Sequence, residues 1–131
     1  IQKKKLRFIN RQKGSGTRIL IDHFLQKEGI EPGLVNGYEN EVFTHLEVGL
    51  KIAAGEADAG IATSAAAKIL GLAFYPILNE SFDMVLAHDT FFNSNVQDFI
   101  ETLGSASFRS MVSQLGNYDF GRAGRIIYST E

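Results

Sequence analysis

Residues 6–18, Leu-Arg-Phe-Ile-Asn-Arg-Gln-Lys-Gly-Ser-Gly-Thr-Arg, restrict the fold more than any other stretch of the chain. A short apolar run, residues 6–9, ends in Asn10 and Arg11. A small-residue loop of Gly14, Ser15, Gly16 and Thr17 follows, and a helical pattern then begins. A strand that turns straight into a helix collects free backbone N–H groups and the positive end of a helix dipole at one corner. Two hydroxyls and Arg18 stand beside it, so the corner is suited to an anion. The glycine spacing matches neither a dinucleotide fingerprint nor a Walker loop, and nucleotide binding is not the expectation.

The rest of the chain repeats this alternation. Residues 17–28 carry Leu20, Ile21, Phe24 and Leu25 on one helical face, with Gly29 placed to close the helix. A turn and a short strand are expected over residues 32–38. Thr44 followed by Glu47 is a capping box, which starts a second helix running to about Ala54 with a stripe of Leu46, Leu50 and Ala53. Residues 57–62 read as a small-residue strand, after which Thr63 and Ser64 cap an alanine-rich helix ending at Gly71. Residues 73–78 and 82–87 are two further strand candidates. Residues 91–103 and 107–115 read as amphipathic helices, and residues 125–128 as a last strand. The expected fold is α/β, a three-layer sandwich with a mostly parallel sheet in one domain over residues 1–131.

Parallel sheets bind ligands beyond the carboxyl ends of their strands. Those ends here carry Ser15, Gly16, Thr17 and Arg18, then Thr44 and His45, then Thr63. Each hydroxyl at a helix start is also an ordinary cap, so the weight rests on three such corners sharing one edge. Tyr38 and Tyr75 are core candidates, and Arg11 reads as a surface residue. His23, His45 and His88 are too scattered for a metal site. No nucleophile elbow is present, and neither Glu47 nor Asp58 has an acid–base partner in sequence, so no catalytic residue is assigned. Glu56 and Asp58 read as a polar turn.

Composition excludes several classes. Thirteen basic residues against 15 acidic give a net charge of −2, so nothing global draws the chain to nucleic acid. Lys3–Lys5 with Arg7 form the only basic run, at the N-terminal end. There is no cysteine, hence no disulfide or thiolate chemistry. No apolar run reaches the ~20 residues of a membrane span. The chain opens on Ile1 without a leader peptide. That favours a cytoplasmic over a periplasmic setting and agrees equally with a piece excised from a longer protein.

Residues 7–88 resemble the second lobe of a type 2 periplasmic-binding-protein fold, specifically the PBP-like domain related to molybdate- and tungstate-binding proteins. The resemblance rests on the run from Asn10 to Arg18, on Gly37-Tyr38 and on Thr44-His45. It continues in Ala54-Gly55-Glu56-Ala57-Asp58-Ala59-Gly60-Ile61, in residues 71–77, and in Gly116-Asn117-Tyr118-Asp119 before Gly124-Arg125. It implies capture of a small anion, molybdate or tungstate, between two lobes, without chemistry and without a cofactor. It also implies a backbone N–H donor at Thr44-His45, and a donor at Thr63 where relatives often place a tyrosine hydroxyl. Members carry a first lobe upstream, which these residues lack, and are fused to helix-turn-helix regulators or molybdopterin-biosynthesis proteins. The expected partners are therefore a small anion, the first lobe, an attached DNA-binding domain and a second copy in a homodimer, with no membrane contact. Two other functions remain open: an organic-anion effector domain of a LysR-type regulator, and an accessory domain of a molybdopterin-biosynthesis enzyme. A lobe whose site has decayed and that serves contacts alone is the blandest outcome.

Overall fold

A computed structural model describes residues 6–116 and 118–127. They hold three strands and six α-helices, in two compact units, Ile1–Tyr75 and Pro76–Glu131.

The first unit is built on β1 (Phe8–Arg11). Side chains alternate across a strand, so Phe8 and Ile9 face opposite sides, and each seeds its own cluster. Phe8 packs with Ile21, Leu25 and Val35, and Ile9 packs with Val42, Val48 and Ala57. The first cluster is covered by α1 (Gly16–Lys27), the second by α2 (His45–Ala53). Helices on both faces of a parallel sheet make the three layers expected from the alternation.

The sheet order is β2-β1-β3, with β2 (Glu41–Val42) and β3 (Ala59–Gly60) each parallel to β1. Asn10 lies opposite Glu41, and Phe8 opposite Ala59. A 3-10 turn at Pro32–Leu34 leads into the Gly37 corner, where a strand had been expected. Gly37 has φ 88°, and a Cβ there would stand 2.1 Å from the Phe8 carbonyl oxygen. Only glycine fits this approach. α3 (Ser64–Ile69) lies against α2, and the contact needs Gly49, whose Cβ would meet Leu70 at 2.5 Å.

Below the sheet, Arg7 and Asp58 close the unit. The Arg7 N–H donates to Asp58 at 2.8 Å and its guanidinium makes two more bonds, at 3.1 and 2.7 Å. The Arg7 side-chain and backbone bonds hold the Asp58 carboxyl down at about 2, against an ordinary 3.8.

Several expectations are corrected. Leu46 and Leu50 are 44% and 49% exposed, and the sheet-facing side of α2 is Val48 and Gly49, with Ile52 packed against the same cluster. Val48 packs with Ile9, Val42 and Ala57, partners distant in sequence that the helical pattern of α2 does not reveal. Residues 73–78 and 82–87 form no strand, and Tyr75, Phe82 and Val85 are exposed. High β-propensity without a partner edge makes no ladder. Residues 125–127 are also irregular, while Tyr128, Asn117 and Lys3–Lys5 lie outside the described residues.

The second unit holds α4 (His88–Phe91), α5 (Ser94–Gly104) and α6 (Ala106–Ser113). The expected helix over 91–103 is two, because the Asn93 side chain caps α5 at the Asn95 N–H, 3.0 Å. Phe108 meets Phe120 edge-on at 6.1 Å.

Two stability outcomes follow. Gly37→Ala combines a strained φ with a backbone clash and is expected to destabilise by about 2 kcal/mol or more in urea unfolding. Asp58 has a depressed folded pKa, so its contribution is complete above pH 3.8 and is lost as pH falls towards 2. Thermal midpoints should fall across that window, and Asp58→Asn should flatten the fall.

Candidate functional site

All three strands run parallel, so their carboxyl ends emerge at one edge of the sheet. Each is followed by a helix whose first residues turn their N–H groups outward. A strand order of 2-1-3 puts the topological switch between β1 and β3, where the connections leave in opposite directions. Neighbouring strands are about 4.8 Å apart, so the β2 and β3 corners stand about 10 Å apart with the end of β1 between them.

The first corner is the α1 start. Ser15 Oγ accepts from the Arg18 N–H at 3.2 Å, and the first helical bond runs from Ile19 to Ser15 at 3.0 Å. The Gly16 and Thr17 N–H groups precede that bond and have no acceptor within the helix. No acidic residue occupies this first turn. Thr17 itself is buried.

The second corner is different. Thr44 Oγ1 accepts from the Glu47 N–H at 3.0 Å, and Glu47 returns its carboxylate to the N–H groups of Thr44 and Phe43 at 2.7 and 2.9 Å. The capping box expected from sequence is therefore complete. These bonds, the Thr44 N–H above all, keep the Glu47 carboxyl below its ordinary pKa, with a smaller pull from Arg11. The corner thus carries its own anion: of the Thr44-His45 pair, the Thr44 N–H is occupied by Glu47. The Thr44 O–H keeps its proton to give. His45, half-buried, begins α2 beside it.

At the third corner Thr63 Oγ1 accepts from the Ala66 N–H at 3.4 Å, again with no carboxylate in the first turn. The structure accordingly brings Ser15, Gly16, Thr17, Thr44, His45 and Thr63 to one edge.

Arg18 goes elsewhere. Its side chain is 2% exposed, turned inward, with Nη1 donating to Glu41 Oε1 at 2.8 Å and to the Arg11 carbonyl at 3.4 Å. Nε lies 3.4 Å from Asp22 Oδ1, an electrostatic contact without hydrogen-bond geometry. The guanidinium also sits 4.0 Å over the Tyr38 ring, and the Tyr38 O–H donates to Asp22 at 2.6 Å. Burial pulls the guanidinium pKa down, but Tyr38, Asp22 and Glu41 outweigh it and the net direction is up. The same Asp22 bond, helped by burial, pushes the Tyr38 hydroxyl up. Sequence reasoning missed this cluster. Its one readable signal was the i,i+4 spacing of Arg18 and Asp22.

Elsewhere, a cavity of about 400 Å³ is bordered by Glu39, Glu41, Lys51 and Glu56. No candidate residue lines it, and its lysine is already paired with Glu56. Among the described residues no three of His, Cys, Asp and Glu group as a metal site. None of the described helices is long and apolar enough to cross a membrane.

Comparison with known proteins adds the family. A family model described as a PBP superfamily domain matches residues 1–104. The chain is 32% identical over 130 residues to the uncharacterized protein YvgK of Bacillus subtilis, covering 99% of this chain and 42% of YvgK. It thus spans less than half the length of that relative. It is 27% identical over 110 residues to an uncharacterized Clostridium pasteurianum protein encoded in the 5′ region of a 2Fe-2S ferredoxin gene. That match covers 83% of this chain and 97% of the other. No solved structure matches.

The caps set a stability order. Thr44→Ala removes one half of a reciprocal box and should cost about 1–2 kcal/mol, while the longer Thr63 bond predicts less than about 1 kcal/mol for Thr63→Ala. Chemical denaturation of the two variants checks the order.

Proposed function

This chain belongs to the PBP superfamily, whose domains are ligand-binding modules, and from that premise we propose that its ligand is a small tetrahedral oxyanion, molybdate or tungstate. The anion would sit over the end of β1. Gly16 and Thr17 would donate N–H groups from one side, and the Thr63 and Thr44 hydroxyls would donate from the other two corners. The observation that carries the reading is the first turn of α1 at the β1/β3 switch point, whose Gly16 and Thr17 amides have no acceptor within the helix and no acid beside them. Arg18 supplies no direct contact in this reading. A buried oxyanion needs most of its oxygens hydrogen-bonded, and short neutral donors on several sides meet that need.

An organic carboxylate effector would be favoured by a free guanidinium in the cleft. Arg18 is 2% exposed and already ion-paired, which weighs against that reading. In a longer protein, closure against the first lobe on the anion would tighten capture and transmit it to an attached regulatory or enzymatic domain.

The test is a ¹⁵N amide titration of the 131-residue chain with molybdate, tungstate, sulfate and acetate. Molybdate and tungstate are expected to move the Gly16 and Thr17 amides first, with smaller shifts at Thr44 and Thr63. A thermal shift should accompany them, about 2.7 kcal/mol of stabilisation at ~100 times Kd. Amides that stay still at millimolar oxyanion, or that respond to acetate alone, would overturn the assignment.

A further inference from the structure

The Arg18–Glu41 bond does something the capping contacts do not: it ties two of the three corners together. Arg18 is part of the first corner, since its own N–H is held by Ser15 Oγ. Glu41 is the first residue of β2, and three residues later Thr44 caps α2. Between Ser15 and Thr44 the path is therefore one ion pair of 2.8 Å and two short pieces of chain.

The cation in this path is fixed from several sides. The Tyr38 ring lies 4.0 Å from the guanidinium carbon, Asp22 faces Nε, and the Arg11 carbonyl sits at 3.4 Å from Nη1. Tyr38 in turn holds Asp22 through its hydroxyl. A guanidinium that is 2% exposed cannot leave these partners for water without abandoning a buried ion pair. Glu41, with a side chain 28% exposed, is the adjustable member. Through it the β2 corner is tied to the α1 corner, alongside the backbone bonds from Asn10 N–H to Asn40 and from Gln12 N–H to Val42.

We propose that Arg18 and Glu41 form a positioning strut which sets the spacing of the α1 and α2 corners, and so selects the size of the tetrahedral oxyanion accepted between them. The inference rests on the oxyanion reading above and deepens it. Constellations that bind by several short contacts work only when held within about 0.5 Å. Molybdate and tungstate are larger than sulfate and carry the same charge, so spacing is the property that can separate them. Arg18 acts through the corners and does not touch the ligand.

The experiment is calorimetric titration of molybdate and sulfate into the unaltered chain and into Glu41→Gln, Glu41→Asp and Glu39→Gln. Glu41→Gln keeps the shape and removes the charge. Glu41→Asp keeps the charge and shortens the reach by about 1.5 Å, one C–C bond. Glu39, whose contact with Lys13 is 3.7 Å between two largely exposed side chains, is the control. The molybdate-to-sulfate affinity ratio is expected to change at least about fivefold in either Glu41 variant, the lower end of typical coupling between sites, and to stay constant in Glu39→Gln. Amide shifts at both Gly16 and Thr44 in the anion-free Glu41 variants would accompany the change. Equal losses for both anions, with the ratio unchanged, would make Glu41 a stabilising residue only and overturn the strut. An unaltered chain that binds neither anion would remove the oxyanion reading itself, and the strut with it.

Discussion

Burial of β1 on both faces is the constraint from which the rest of the first unit follows. Phe8 and Ile9 are 3% and 5% exposed and point in opposite directions, so each face requires its own helix. A strand buried on both faces is the signature of a parallel sheet, and both neighbours are parallel here. The backbone is equally committed. The Phe8, Asn10 and Gln12 N–H groups bond towards the β2 side, and the Arg7 carbonyl accepts from Asp58 and Ala59 on the β3 side. Central placement and parallel direction together deliver three helix starts to one edge.

That edge is not uniform. At α2 the positive end of the helix is answered internally by Glu47, so this corner is stable without a ligand. At α1 no such residue exists, and the nearest charge, Arg18, has been drawn inward by Glu41 and Asp22. Burying a guanidinium is unfavourable unless it is fully partnered. The cluster supplies two carboxylates, a carbonyl and an aromatic ring, with Nε held by charge alone. Its effect is a first turn whose leading amides have no intrahelical acceptor and face no charge presented by their own helix.

Local signals were legible in sequence because their physics is local. Ser15, Thr44 and Thr63 cap the helices they precede, the Thr44–Glu47 box is reciprocal, and Gly29 takes φ 62° after α1. Signals that depend on a distant partner were not legible. The face of α2 that meets the sheet carries Val48 and Gly49, against Ile9, Val42 and Ala57, so Leu46 and Leu50 face outward despite being the more apolar pair. Residues 73–78 and 82–87 have strand composition, yet a strand exists only where an edge accepts it. Arg18 looked like a ligand for the anion because its inward partners lie 23 residues away at Glu41 and 20 at Tyr38, beyond any helical spacing.

The caps chosen at the edge also bear on function. Ser, Thr, Asp and Asn all satisfy a helix start, with Asp and Asn at least as good as Ser and better than Thr. All three corners of the sheet edge use a hydroxyl, and two use the weaker Thr. In the second unit α5 takes Asn93 and α6 takes Ser105. An aspartate at any of the three corners would cap the helix while placing a carboxylate, an acceptor only, where an incoming anion needs donors. A hydroxyl caps with its oxygen and still has a proton to give. Stability alone does not distinguish these choices; under the proposed oxyanion reading, a hydroxyl caps the helix and keeps a donor for the ligand.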